Sequence, residues 1–233
     1  MPLSAPDERI CPRCRGMGWL VHDVSPGHAL FGSRGLVPCD VCGQQRQAAY
    51  LLDLCGLTGE MLGYTFQTTK RLTANAAAYD AARQVVAYPQ WFLTLQGAPG
   101  VGKTRLLGTI VNEARAAGRK AVYTTTAELL DHLRAAYAPG VAGALTFDAL
   151  LDKVTDCTVL ALDEFDRWNP TAWAQEKFFQ LIEARYRDGE RRLTCFATNA
   201  ELDTLPQYIT SRMQDRRCRV YTLSGPDIRR ARG

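Results

Sequence analysis

The sequence contains no apolar run approaching the roughly 20 residues needed to cross a bilayer. Its first ten residues, Met1 to Ile10, include Pro, Asp, Glu and Arg and no apolar h-region, so they do not read as a secretory signal. The expectation is therefore a cytoplasmic protein that makes no use of a membrane. Internal repeats and low-complexity tracts are also absent, which excludes a repeat array. A strong charge of one sign is missing too: 28 basic against 24 acidic side chains leave +4, too little to imply nucleic acid by itself.

What is present suits one full-sized domain with a small appendage: 233 residues, 46% of them apolar. Three segments differ in texture. Residues 1–43 are rich in Cys, Gly and Pro with no sustained helical or strand period. Residues 44–90 read as a mostly helical lead-in, with helices over Gln44–Leu54 and Asn75–Ala87. Residues 91–233 carry apolar strands alternating with amphipathic helices, the pattern of a parallel α/β sheet. Strands are predicted over Trp91–Gln96, Ala121–Thr125, Thr158–Leu162, Leu193–Thr198 and Arg219–Leu223. Helices are predicted over Lys103–Ala117, around Leu129–Leu133, over Phe147–Val154 and over Thr171–Arg187, with a short one ending before Ser211.

Gly97-Ala-Pro-Gly-Val-Gly-Lys-Thr104 follows the first of these strands and opens a helix. Gly97, Gly100 and Gly102 let the backbone curl so that several N–H groups, that of Val101 among the nucleotide-binding positions, face one anion, and the helix N-terminus adds partial positive charge. Lys103 reaches the β- and γ-phosphates, the Thr104 hydroxyl is placed for Mg²⁺, and Arg105, next along the helix, is counted with them among the nucleotide-binding residues. This is a complete phosphate-binding loop, and it makes the chain an ATP/ADP-binding protein.

Thr158 to Phe165 is an apolar strand ending in two carboxylates. Asp163 is expected to hold Mg²⁺, directly or through water, and Glu164 to orient and deprotonate the attacking water. Asn199, at the end of the next strand, is expected beside the γ-phosphate if the sheet has the order of an AAA+ ATPase. Seven Arg occur from Arg212 onward: Arg212, Arg216, Arg217, Arg219, Arg229, Arg230 and Arg232. They read either as a solvated basic tail or as contacts to phosphate, in DNA or in a neighbour's nucleotide. Arg212 is the candidate finger acting across a subunit interface, Arg216 the second choice, and Arg229 a possible contact to nucleotide.

Eight Cys is a high count for a reducing compartment, and four form two pairs, Cys11-Pro-Arg-Cys14 and Cys39-Asp-Val-Cys42, separated by 24 residues. Two such pairs supply the four thiolates of a structural Zn²⁺ site. His22 and His28 lie between them and could replace a thiolate, but four Cys already close the shell. Metal binding would supply folding free energy that so little apolar content cannot.

With these residues in order, the chain resembles the DnaC-type replicative helicase loaders, which share an AAA+ core with the IstB-type transposition helpers. The resemblance runs from about Leu52 to Arg229. It is carried by Gly56-Leu57-Thr58, Tyr64-Thr65-Phe66, Gly97 to Thr104, Ala127-Glu128-Leu129-Leu130, Phe147-Asp148-Ala149-Leu150-Leu151, Leu162-Asp163-Glu164-Phe165, Ala184-Arg185-Tyr186, Thr198-Asn199, Ser211-Arg212-Met213 and Gly225-Pro226-Asp227-Ile228-Arg229. It implies an α/β AAA+ core without a C-terminal helical lid, ATP and Mg²⁺ as cofactors, and side-by-side assembly into a ring or spiral. It also implies single-stranded DNA along the inside and delivery of a DnaB-type replicative helicase. Some loaders carry an N-terminal zinc-binding domain, and residues 1–43 look like a compact version. The chain departs from the family at Glu164, where Asp is frequent, and at Arg229, which matches only loosely. Two other readings stay open: a transposition helper acting on duplex DNA, and an adaptor whose zinc module does the work beside a weak ATPase.

Overall fold

A computed structural model describes residues 13, 19–21, 36–39, 56–136, 147–167, 169 and 171–228. The chain divides into two compact units, Met1–Asp53 and Leu54–Gly233.

In the first unit, where the sequence shows no strand period, two three-residue strands form. β1 (Trp19–Val21) and β2 (Leu36–Pro38) pair antiparallel, Trp19 opposite Pro38 and Val21 opposite Leu36. Segments this short carry too few residues for a period to be legible. The hairpin lies between the two Cys pairs, and Cys39, directly after β2, is buried. Cys11, Cys14 and Cys42, with His22 and His28, lie outside the described residues, as does the expected helix Gln44–Leu54. Among the described residues no group of His, Cys, Asp and Glu could hold a metal ion.

The second unit is built on five parallel strands: β3 (Trp91–Gly97), β4 (Ala121–Thr125), β5 (Val159–Asp163), β6 (Leu193–Thr198) and β7 (Arg219–Leu223). Their order is β4-β5-β6-β3-β7. The four strands other than β7 are buried almost along their length, because helices cover both faces and each strand can be apolar on both sides. β7 is an edge strand with Arg219, Val220 and Thr222 exposed.

Alternation along the strands sorts the core into two layers. Leu93 and Leu95 of β3, Ala121 and Tyr123 of β4 and Val159 and Ala161 of β5 face α1 (Ala76–Ala87) and α2 (Lys103–Ala116). On the other side lie α3 (Thr126–Ala135), α4 (Phe147–Asp156), α5 (Ala172–Arg187) and α6 (Gln207–Met213), packed in succession. There Phe92, Phe196, Phe165 and Phe178 meet edge to face, with ring centroids 5.3, 5.0 and 5.9 Å apart along the series. Each such pair adds about 1 kcal/mol beyond its buried area.

Local signals set the helix ends. Thr125 and Glu128 form a reciprocal capping box on α3, at 3.2 and 3.0 Å. Thr171 caps α5 at Ala174. Gly118, at φ +75°, ends α2 in a Schellman turn in which the Arg119 N–H donates to Ala114 O at 3.0 Å. α6 runs through Met213, two residues beyond Ser211, because the Gln214 N–H continues the ladder to Thr210 O.

Arg185 is fully buried, and no carboxylate appears among its hydrogen-bond partners. Its guanidinium donates to the carbonyls of Val154, Thr155 and Cys157 at 3.1, 2.8 and 2.9 Å, to Leu193 O at 2.6 Å and to Thr194 Oγ1 at 2.8 Å. Burial pushes its pKa down. The cation closes the C-terminal carbonyls of α4, where positive charge is favoured, and ties them to the start of β6. Ala184-Arg185-Tyr186 is thus a scaffold element. Among the described residues no helix is long and apolar enough to cross a membrane.

Candidate active site

The sheet order decides which residues can meet. β3 delivers the loop Gly97–Gly102, β5 delivers Asp163 and Glu164, and β6 lies between them, so Asn199 emerges between the loop and the carboxylates. A parallel sheet opens its ligand crevice at the carboxyl ends of its strands, and all four groups lie there.

The loop is shaped by glycines in conformations that other residues avoid. Gly97 has φ +148°, and a Cβ on it would lie 2.2 Å from Leu223 O, the backbone of paired β7. Gly100 has φ +84°, and its missing Cβ leaves room for the Asp227 carboxylate. The segment after β7 thus lies against the loop, with the Ile228 N–H donating to Gly100 O at 3.0 Å. Val101 is buried and anchors the loop to the core shared with α2.

Lys103 is only 7% exposed. Its Nζ donates to Gly97 O at 2.6 Å, Ala98 O at 2.8 Å and Asn199 Oδ1 at 2.9 Å. An ammonium buried among carbonyl dipoles beside N–H groups that open a helix is a binding site for phosphate oxygens. Thr104 is exposed on the first turn of α2. The Arg105 guanidinium stacks over the Tyr64 ring, 4.4 Å from its centroid, and donates to Thr68 O at 2.8 Å. Arg105 therefore ties α2 to the Tyr64-Thr65-Phe66 segment.

Asp163 is 4% exposed. One oxygen accepts from Tyr123 Oη at 2.6 Å, and the other from the Glu164 N–H at 2.8 Å. Burial first, then the Asp163 charge, pushes the Tyr123 pKa far up, so the phenol stays a donor. Glu164 has φ +49°, a left-handed conformation that costs about 1–2 kcal/mol for a residue with a Cβ. The next residue holds it there. Phe165 is fully buried in the aromatic layer, and its N–H donates to Ala197 O of β6 at 2.9 Å. The Glu164 side chain is thereby turned out to solvent, 3.5 Å from Arg167.

Arg212 makes its contacts elsewhere. It is ion-paired to Glu183 of α5 and donates to Tyr208 O, and its guanidinium lies 5.8 and 5.7 Å from the Phe179 and Tyr186 ring centroids. Glu183 is held below the usual carboxylate range: burial pushes it up, and the hydrogen bond and charge of Arg212 more than reverse this. Arg216 is exposed, and Arg229 lies outside the described residues.

Three residues that the sequence reading did not single out for the site belong to it. Tyr123 orients Asp163, Asp166 accepts from Asn199, and Asp227 sits against Gly100. Tyr123 and Asp163 are 40 positions apart and meet through strand register, for which no local signal exists.

A family model described as "IstB-like ATP binding protein" matches residues 46–218. The chromosomal replication initiator protein DnaA of Wolinella succinogenes is 27% identical over 161 residues, which is 65% of this chain and 34% of that protein. The chain spans about a third of the length of the curated relatives it matches. Among solved structures, AMPPCP-bound DnaA from Aquifex aeolicus aligns with TM-score 0.62 at 18% identity, covering 72% of this chain and 51% of that one. The DnaC helicase loader aligns with TM-score 0.60 at 17% identity, covering 72% of this chain and 100% of that one. These likenesses are of fold.

Proposed function

The chain belongs to the family of IstB-like ATP-binding proteins, as an ATPase of the AAA+ type, and from that premise we propose that it loads a DnaB-type replicative helicase onto single-stranded DNA. The observation that carries this reading is the meeting of Lys103 and Asn199 at 2.9 Å beside the Asp163–Glu164 turn. A site with only a phosphate loop binds a nucleotide. One with a carboxylate base and a polar strand end beside the γ-phosphate can also hydrolyse it, and so drive a cycle. The likeness in fold to a protein described as a helicase loader directs the choice of partner.

In this reading Gly97 to Gly102 and Lys103 bind the phosphates. Glu164 takes a proton from water as its oxygen bonds to the γ-phosphorus, and the bond to the β-phosphate oxygen breaks with its electron pair leaving on ADP. Asn199 holds that water. The Thr104 hydroxyl and the Asp163 carboxylate are hard oxygen donors that fit Mg²⁺, which would neutralise phosphate charge. Arg212 reaches the nucleotide of a neighbouring subunit in a ring or spiral, exchanging Glu183 for phosphate; Arg216 is the second choice.

Residues 1–43 form a module with a structural Zn²⁺ on Cys11, Cys14, Cys39 and Cys42. The chemistry fits: Cys39 is buried, and the hairpin register returns residue 38 opposite residue 19. Thiolates would close a shell around the metal and stabilise a two-stranded hairpin that is marginal alone.

The test is co-purification with a DnaB-type helicase in ATP and in ADP, with and without single-stranded DNA. The expected result is a complex whose stability depends on the nucleotide. A protein that ignores the helicase and forms ATP-dependent filaments on duplex DNA would be a transposition helper. Undiminished function from Glu164→Gln would favour the adaptor reading.

A further inference from the structure

Asn199 is held at both ends of its amide. Oδ1 accepts from Lys103 Nζ at 2.9 Å, and Nδ2 donates to Asp166 Oδ2 at 3.4 Å. The Asn199 backbone N–H donates to the other carboxylate oxygen, Asp166 Oδ1, at 2.9 Å. One carboxylate thus grips the main chain and the side chain of the same residue.

The two ends of a primary amide are nearly identical in shape, so only the partners decide which way it points. An ionised carboxylate only accepts, and an ammonium only donates. Asp166 therefore draws the NH₂ end, and Lys103 draws the oxygen. With either one replaced by an apolar group the amide can turn over. Burial raises the Asp166 pKa, but hydrogen bonds from the Asn199 backbone, its own backbone N–H, and the Thr198 and Asn199 side chains hold it below the usual carboxylate range, so it is an acceptor at neutral pH.

Asp166 also shares a turn with Glu164. The Arg167 N–H donates to Glu164 O at 2.8 Å, and Phe165 between them is pinned to Ala197 of β6. Glu164 and Asn199, each just past the end of a different strand, are thereby fixed to one short segment.

We propose that Asp166 is a positioning residue for ATP hydrolysis: it sets the Asn199 amide so that one N–H of Nδ2 serves the carboxylate and the other is turned to the attacking water and γ-phosphate. This rests on the assignment of Asn199 to that water. In this role Asp166 acts on the reaction through Asn199.

A purely structural Asp166 would cap the turn after β6 and nothing more. The two roles separate in a double-mutant cycle over wild type, Asp166→Ala, Asn199→Ala and the pair, with kcat and the affinity for a fluorescent ATP analogue measured for each. Misplacing one group in a reacting geometry costs about 10- to 100-fold in rate. The expected result is a kcat for Asp166→Ala lowered by that factor, ATP-analogue affinity within about threefold of wild type, and a double variant no slower than Asn199→Ala alone. If Asn199→Ala is slow and Asp166→Ala is not, or if the two effects multiply, the assignment of Asp166 is overturned while that of Asn199 stands. If Asn199→Ala turns over ATP at the wild-type rate, the assignment of Asn199 fails first. Should Asp166→Ala not fold, Asp166→Asn, which keeps the shape and removes the charge, carries the same cycle.

Discussion

The Tyr123 hydroxyl, on β4, donates to Asp163 at the end of β5 across 2.6 Å, and it fixes a carboxylate that is itself 4% exposed. A buried acceptor with one hydrogen-bonded oxygen turned to a tyrosine and the other to the Glu164 N–H has little freedom left. Groups that orient a metal ligand contribute about 10- to 100-fold to metal affinity or activity. Tyr123→Phe keeps the ring and removes only the hydroxyl. We expect the Mg²⁺ dependence of ATP turnover to shift to higher concentration by about tenfold, while binding of ATP without metal changes little. An unchanged Mg²⁺ titration would mean that Asp163 is held by the sheet alone.

Gly97→Ala places a Cβ where Leu223 O stands, 2.2 Å away, at φ +148°. Both atoms belong to the β3–β7 pairing, so neither can move without breaking it. The expected cost is above about 2 kcal/mol, read as a lower urea midpoint, together with loss of ATP binding. A variant of wild-type stability would show that the edge strand β7 gives way at no cost.

Arg185→Met removes a donor to the carbonyls of Val154, Thr155, Cys157 and Leu193, of which Thr155 O keeps Arg192 and Val154 O keeps the Cys157 thiol. Each carbonyl left buried without a partner costs about 1–3 kcal/mol. Chemical denaturation is expected to show a loss of about 3–5 kcal/mol. The part of the sample that stays folded should bind ATP as wild type does, because Arg185 belongs to the scaffold. A loss of affinity at full stability would contradict this.

Arg212 is bound within its own chain to Glu183. If it serves a neighbour's nucleotide, a finger-less subunit and a subunit without a working loop should complement each other. Arg212→Ala and Lys103→Ala are each expected to lose ATP turnover by more than about 100-fold. Mixed together they should recover part of it, because one interface in the mixture pairs an intact loop with an intact finger. No recovery would place the essential arginine elsewhere, with Arg216 the next to test.

The parts of the site that could be read from the sequence are those in which chemistry and spacing are local. Gly97 to Thr104 is one uninterrupted stretch of sequence. Asp163, Glu164 and Asn199 each stand at the end of an apolar run, where a parallel strand opens. The strands β4, β6 and β7 could be bounded for the same reason. What could not be read depends on contacts made across the chain. Tyr123 meets Asp163 only because β4 and β5 are in register. Asp166 meets Asn199 only because β5 and β6 pair side by side. Asp227 needed the β3–β7 pairing to reach Gly100. The left-handed Glu164 has no signal in its residue type at all, and Phe165, buried and pinned to Ala197, is what imposes it. In the first unit β1 and β2 are too short to leave a pattern, and Cys11, Cys14 and Cys42 lie outside the described residues.

In the proposed function Glu164 is the base for ATP hydrolysis at this site. Steady-state ATP turnover and ATP binding by Glu164→Gln test it most directly, because the substitution keeps the shape and removes only the carboxylate. The expected result is ATP affinity within about threefold of wild type and a kcat reduced at least about 100-fold. Wild-type turnover by Glu164→Gln would contradict it.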